Sequence, residues 1–235
     1  MKYILSLYLW TVGSLYFGFL CIVGILLTFL LSSEVLDIWI KRRLKFLFKL
    51  LHTRVQVEGD NKIKSGKTYL FMANHVSLFD IPLLGAYIPT FVRGVEAKNQ
   101  FKWPLYGWVI RRLGNIPIER TNIHASIRSI RKTEKLLKEG RSMVILPEGH
   151  RTLDGNLRPF KKLPFFLAKK ADVDIVPMGL SGLFHLKSKR SWLIRPTTLK
   201  IKFGDVIPIQ KIRSMSVVEL RDYTREKIQK LIERP

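Results

Sequence analysis

From Tyr3 to Ser33 the chain carries no charged residue, and from Tyr3 to Leu31 only Ser, Thr and Gly interrupt an apolar run of 29 residues. No other feature constrains the fold as strongly. About 20 apolar residues in a helix cross the hydrocarbon core of a bilayer, and a water-exposed helix tolerates no such composition. A cleaved signal peptide would want a shorter apolar stretch and a small-residue cleavage site, and neither is evident. The run therefore predicts a retained membrane helix. The single cysteine, Cys21, lies inside it, so no intramolecular disulfide is available, and a thiol in hydrocarbon is a poor nucleophile.

The next segment extends the prediction. Leu36, Ile40, Leu44, Leu47 and Leu51 recur at four- and three-residue intervals, while Lys41, Arg42, Lys45 and Lys49 take the opposite side. A basic amphipathic helix directly after an apolar one is a membrane-surface signal, and its alternative is an ordinary helix packing on a core. The Lys/Arg cluster places the domain after it on the cytoplasmic side. We read residues 1–53 as a membrane-associated two-helix segment and 54–235 as one catalytic domain. Whether the first helix spans or dips into one leaflet stays open.

Formal charge is +23, which calls for an acidic partner: anionic lipid, a phosphorylated substrate, an acidic carrier or nucleic acid. Beyond residue 54, strand patterns at 54–57, 68–73, 91–96, 115–118, 142–146, 174–178 and 198–203 alternate with helical ones at 78–88, 99–113, 123–139 and 162–171. A last helix opens with the capping pattern Ser216-x-x-Glu219 and turns Leu220, Ile228 and Leu231 inward. The pattern predicts an α/β domain, a central mixed sheet flanked by helices, with the site in loops beyond the strand ends.

Two such loops carry chemistry. In Ala73-Asn74-His75-Val76-Ser77-Leu78-Phe79-Asp80, His75 and Asp80 are five steps apart, so they share no helical face. They can act together only if His75 sits in the turn before a helix and Asp80 reaches back from its start. An imidazole so held is a competent general base; a structural histidine beside a helix-start Asp is the other reading. In Pro147-Glu148-Gly149-His150-Arg151, Gly149 permits positive φ or close approach, and the fork of Arg151 suits phosphate. Glu148 could orient that arginine, bind an acceptor group or cap a turn.

Asn-His-x4-Asp followed about seventy residues later by Pro-Glu-Gly-x-Arg resembles the glycerolipid acyltransferase family, best known for 1-acyl-sn-glycerol-3-phosphate acyltransferases. Between the two blocks, Lys98, Pro104, Gly107, Gly114 and Arg120 match an intermediate motif, and Val176-Pro177 resembles a fourth. The resemblance covers about residues 54–205. It implies that His75 deprotonates an acceptor hydroxyl, Asp80 holds the imidazole, and a thioester acyl group moves directly without an acyl-enzyme. It assigns Arg120, Glu148, Gly149 and Arg151 to the acceptor headgroup, with Lys98 a weaker contributor. It implies membrane lipids and a lysophospholipid as partners, acyl-CoA or acyl carrier protein as donor, and no cofactor, metal or nucleic acid.

Three departures bear on this: His150 for a usual Thr, Asn99-Gln100 for Glu-Leu, and Leu163-Pro164 after Lys161-Lys162 where Gly and a small residue are usual. None touches the base. Two lie by the headgroup loop, so lysophosphatidic acid and another lyso-lipid, including one with an amino-acid head, both remain as acceptors. A hydrolase using the same pair on water and a membrane-tethered nucleic-acid binder are the readings from other classes.

Several tempting features carry no chemistry. The stretch from Gly59 to Thr68 has six residues, not four, between its glycines and is no phosphate loop. Gly179-Leu180-Ser181-Gly182 lacks the spacing of a nucleophile elbow. His52, His124 and His185 have no carboxylate at a telling interval, and no ligand cluster suggests a metal. Trp103, Tyr106 and Trp108 fit an interface, an acyl tunnel or plain core.

Overall fold

The computed structural model describes residues 1–119 and 122–233. Helices α1 (Lys2–Leu27) and α2 (Ser33–Leu50) lead into an α/β domain. Its strands are β1 (Val55–Glu58), β2 (Tyr69–Ala73), β3 (Val92–Ala97), β4 (Ile116–Ile118), β5 (Ser142–Ile145), β6 (Asp174–Ser181) and β7 (Leu199–Phe203). Between and after them run α3 (Asp80–Tyr87), α4 (Tyr106–Arg112), α5 (Ile123–Lys138), α6 (Leu163–Ala171), α7 (Leu183–Leu186), α8 (Ile209–Ser214) and α9 (Val217–Leu231). Each predicted strand is present.

The strands form one mixed sheet in the order β1-β7-β6-β2-β5-β3-β4. Its pairs are parallel except β6 with β7, which run antiparallel. Every residue of β2 and β6 is buried, as expected for central strands covered on both faces. On one face Phe71, Ala73, Val176 and Met178 meet α1, α2 and α3. On the other, Leu70, Met72, Met143 and Ile175 meet α5, α6 and α9. The connection from β2 to β3 carries α3 on the first face, and that from β5 to β6 carries α6 on the second. The carboxyl ends of the neighbouring strands β2 and β5 therefore flank a switch point, where open α/β sheets place their ligands.

Three local features differ from the sequence reading. The helix expected over 99–113 is broken: a 3-10 turn spans Lys98–Lys102, and α4 starts only at Tyr106. Pro104 holds Trp103 extended, and Leu105 takes a positive φ of 58°. The short helices α7 and α8 were not anticipated, being too brief to show a period. The third difference concerns α2. Its apolar side was expected to rest on a membrane surface, but Leu36, Leu44, Leu47 and Phe48 are buried in protein. Leu44 reaches Gly85 of α3, and the Phe48 ring meets Phe79 and Tyr87.

Helix α1 behaves otherwise. One side docks through Leu9, Leu20 and Cys21 and through polar contacts: Trp10 Nε1 donates to Trp192 O at 2.6 Å, and Ser6 Oγ accepts from Ile194 N at 3.1 Å. Along the other side Ile4, Tyr8, Leu15, Phe19, Ile22 and Leu26 stand exposed, recurring at helical spacing. The helix is long and apolar enough to cross a membrane, and only 22% of its most apolar window is buried. A core helix of a water-soluble protein buries most of its apolar surface.

The far end of the chain closes the second face. Ser216 caps α9 as expected, accepting from Glu219 N while Glu219 Oε2 accepts from Ser216 N at 2.7 Å. Leu220 and Ile228 are fully buried, and Leu231 crosses β6 at Gly179. A Cβ at residue 179 would stand 2.5 Å from Leu231 Cβ, closer than any real contact. Gly179 is thus a packing glycine. Gly179→Ala should destabilise the fold by about 1–3 kcal/mol, read as a lowered thermal midpoint in detergent; an unchanged midpoint would contradict this crossing.

Candidate active site

Asp80 is the first residue of α3, and His75 lies in the turn between β2 and that helix. The expected geometry is realised: His75 Nδ1 lies 2.6 Å from Asp80 Oδ2. The carboxylate has no solvent exposure. It also accepts from Val76 N at 2.7 Å and from Ser77 N at 3.0 Å, and the start of α3 adds a favourable dipole. An acceptor-only group at Nδ1 keeps the imidazole proton there and leaves the lone pair on Nε2.

The turn is fastened on both sides. Asn74 bridges to β6 with both halves of its amide, donating to Leu180 O at 2.9 Å and accepting from Leu180 N at 2.8 Å. The backbone of His75 is held by the loop after β5: its N–H donates to Glu148 Oε1 at 2.6 Å, and its carbonyl accepts from Thr152 N at 2.9 Å. The second oxygen of Glu148 accepts from Arg158 N at 2.9 Å. Glu148 is 2% exposed. Its two oxygens cap backbone amides of both loops and tie the loops together. Burial, and to a lesser degree the nearby Asp80 charge, push its carboxyl up from an ordinary 4.5 to about 7, against the lowering effect of the two amides.

Around this pair the other expected residues divide. Gly149 turns the loop at φ +74°, a left-handed backbone that an L side chain adopts only with strain. Arg151 comes next but one, half-buried, its carbonyl accepting from the Arg158 guanidinium. His150 is exposed. Lys98, by contrast, lies beyond β3 with its ammonium 3.5 Å from Glu119, lining a separate basic hollow with Lys102, Arg111, Lys132 and Arg141. Arg120 lies outside the described residues.

One residue escaped the sequence reading. Lys187, just after α7, is 8% exposed, and its carbonyl accepts from Ser77 Oγ of the His75 turn at 2.8 Å. Burial first, and then the positive charge of Arg151, push its ammonium below the ordinary lysine value. Two cations near enough to feel one another, one of them tied to the His75 turn, suit an anionic ligand. No motif in the sequence marks Lys187; only the adjacency of β6 to β2 brings it there.

Beside the pair opens a cavity of about 530 Å³. Leu78 and Phe79 of the His75 turn line it, as do Trp10, Gly13 and Cys21 of α1 and Leu44 of α2. Tyr106 and the half-exposed Trp103 line it too, whereas Trp108 is exposed and off its lining.

A model of the acyltransferase family matches residues 54–181, over half of the chain and both loops of this site. The chain belongs to the acyltransferase family. Among its relatives, a 1-acyl-sn-glycerol-3-phosphate acyltransferase of Cocos nucifera is 30% identical over 190 residues, covering 80% of this chain and 58% of that protein. A lyso-ornithine lipid O-acyltransferase of Pseudomonas aeruginosa is 38% identical over 113 residues, 48% of this chain and 42% of that one. The chain thus spans less than two thirds of these relatives' length. The crystal structure of the 1-acyl-sn-glycerophosphate acyltransferase of Thermotoga maritima superposes with a TM-score of 0.86 at 26% identity, covering 97% of this chain and 93% of that one. The acyltransferase fold here therefore includes the two leading helices.

The raised Glu148 value has a thermodynamic consequence. In the unfolded chain this carboxyl ionises near 4.5, but in the folded acyltransferase near 7. The folded state holds the extra proton between those values, so this contribution is complete below about 4.5 and lost as pH rises to about 7. The full span is about 3 kcal/mol. Thermal midpoints from pH 4 to 8 should show wild type losing ground to Glu148→Gln across that window. Parallel curves would show that Glu148 ionises alike in the folded and unfolded chain.

Proposed function

We propose that this chain transfers a fatty acyl group from a thioester donor to the free hydroxyl of a lysophospholipid, with 1-acyl-sn-glycerol-3-phosphate as acceptor and phosphatidic acid as product. One observation carries the reading: an imidazole whose Nδ1 is fixed on a buried carboxylate, beside an apolar cavity lined by the same turn. The activities for which the Cocos nucifera and Thermotoga maritima relatives are named point the same way.

His75 Nε2 takes the proton of the acceptor hydroxyl as its oxygen attacks the thioester carbonyl. The tetrahedral intermediate collapses to the ester and expels the thiolate, which receives the proton from the imidazolium. Asp80 stabilises that imidazolium and keeps its proton correctly placed. The acyl chain occupies the cavity. Arg151 and Lys187 take the acceptor phosphate by charge-assisted bonds, each worth about 1.5–3 kcal/mol, and Arg120 joins them by resemblance alone. Glu148 and Gly149 shape this headgroup loop, Glu148 by positioning His75. Lys98, paired with Glu119, contributes at most from a distance. Acyl-CoA or acyl carrier protein serves as donor, and no cofactor is needed.

The exposed stripe of α1 embeds the protein in a membrane, with the basic residues of α2 and the catalytic domain on the cytoplasmic face. The leading segment, 1–53, works as the anchor and also as one wall of the acyl site. A second acceptor class has an observation of its own: the 38% identity to a lyso-ornithine lipid acyltransferase favours a lyso-lipid with an amino-acid head as the alternative.

Detergent-solubilised protein given acyl-CoA or acyl carrier protein and a panel of lyso-lipids, with products read by mass spectrometry, tests both. Wild type should acylate lysophosphatidic acid, and His75→Ala should lower turnover by about 10²–10⁴-fold. Arg151→Ala should raise the KM for acceptor far more than that for donor. A His75→Ala variant of near-wild-type rate would refute the assignment, and acylation of an amino-acid lyso-lipid alone would select the second acceptor.

A further inference from the structure

The basic hollow beyond β3 has a volume of about 510 Å³ and takes no part in the His75 machinery. The 3-10 turn Lys98–Lys102 parts it from the cavity beside His75: Gln100 lines the cavity, Phe101 and Lys102 line the hollow, and Asn115 lines both. Its floor is apolar, with Phe101 and Ile116 buried and Leu136 half-buried. Five cations surround that floor, and among the described residues no acidic side chain lines it. The nearest carboxylates stand at its margin, Glu119 at 3.5 Å from Lys98 and Glu139 at 4.0 Å from Arg141. Lys102 and Lys132 have no ion pair among the described residues. Clustered like charges repel one another, and an anion drawn into a concave site relieves that repulsion.

Position narrows the kind of anion. Lys132 and Leu136 belong to α5, on the second face of the sheet, away from α1 and its exposed apolar stripe. The hollow therefore draws on water and not on the lipid phase. Its rim is close to the chemistry. Lys98 leaves the carboxyl end of β3, two strand spacings from that of β2, about 10 Å across the sheet from the His75 turn. A flexible arm carrying a thioester bridges that span. An apolar floor ringed by cations suits a flat heterocycle bearing several phosphates, the ring on the floor and the phosphates on the rim.

We propose that this hollow binds the nucleotide end of an acyl-CoA donor, with Lys132 and Arg141 taking the 3′-phosphate and Lys98 and Lys102 the diphosphate. The proposal rests on the acyl transfer proposed above and names its donor. A carrier protein presents the same phosphopantetheine arm without a nucleotide, and would leave the apolar floor empty.

The test measures kcat/KM with one lyso-lipid acceptor and three donors: palmitoyl-CoA, palmitoyl-dephospho-CoA, which lacks the 3′-phosphate, and palmitoyl-phosphopantetheine, which lacks the nucleotide. Wild type should prefer palmitoyl-CoA to either truncated donor by about tenfold. The double variant Lys132→Ala, Arg141→Ala should raise the KM for palmitoyl-CoA about tenfold and bring its ratio to palmitoyl-dephospho-CoA toward one. The acceptor KM and the rate with palmitoyl-phosphopantetheine should stay unmoved. Both replaced side chains are exposed, and a ratio within one preparation cancels any loss of active protein. As a second measurement on wild type, adenosine 3′,5′-bisphosphate should inhibit competitively with palmitoyl-CoA. Equal use of the three donors by wild type, or a CoA preference that survives both substitutions, overturns this inference and leaves the acyl transfer standing. Transfer from acyl carrier protein alone does the same. No transfer from any donor overturns both.

Discussion

A carboxylate shut away from water must find protein donors for its charge or give it up. Asp80 finds three, from His75 Nδ1, Val76 N and Ser77 N, and the site depends on that convergence. The same carboxylate that satisfies two turn amides aims the imidazole. A looser turn would leave an unpaired charge, which costs several kcal/mol when buried. One carboxylate thus couples the turn to the orientation of the imidazole, and the remaining ties of this turn, Asn74 to β6 and Glu148 and Thr152 to its backbone, hold it from both neighbouring strands.

The leading helices also combine two tasks in one element. Helix α2 buries its apolar side on α3, and α1 is docked by Ser6 and Trp10 to the segment before β7. One side of α1 closes the cavity next to His75, with small residues at Gly13, Ser14, Gly18, Cys21 and Gly24 on its lining. The other side is left apolar and exposed. On the proposed function, a helix that is both cavity wall and membrane element would bring the acyl site against the lipid phase, so a hydrocarbon chain would not have to cross water to enter.

Much of this was legible in the sequence, and the reasons are specific. The seven strands were visible because each alternates or runs apolar between turn residues. The His75–Asp80 geometry was legible conditionally: if the two act together, their spacing requires a turn followed by a helix start, and the family resemblance supplied that condition. Glu148 was legible as part of a motif, but its partners lie 73 and 10 residues away, and no local pattern predicts a carboxylate engaged by two backbone amides. Lys187 could not be found at all. For α2 the amphipathic pattern was right and its occupant wrong, since periodicity shows that a face is buried and not what buries it. Glu96, buried on β3 with Tyr106 Oη and Asn115 Nδ2 donating to its two oxygens, left a trace as an acidic residue at an inward position of a strand, though its partners needed the fold to assemble them.

The central claim is that Asp80 acts by holding one tautomer of His75. Asp80→Asn tests it most directly, because it preserves shape while replacing an acceptor with a group that also donates. Oδ2 takes His75 Nδ1 and Val76 N together, so an amide nitrogen there opposes both donors and forces the imidazole proton to Nε2, while an amide oxygen there keeps the proton on Nδ1 but removes the charge that stabilises the imidazolium. Acyl transfer in detergent should then fall by about 10³–10⁴-fold, with the thermal midpoint within a few degrees of wild type. Transfer within a factor of a few of wild type, from a folded Asp80→Asn protein, would contradict the account.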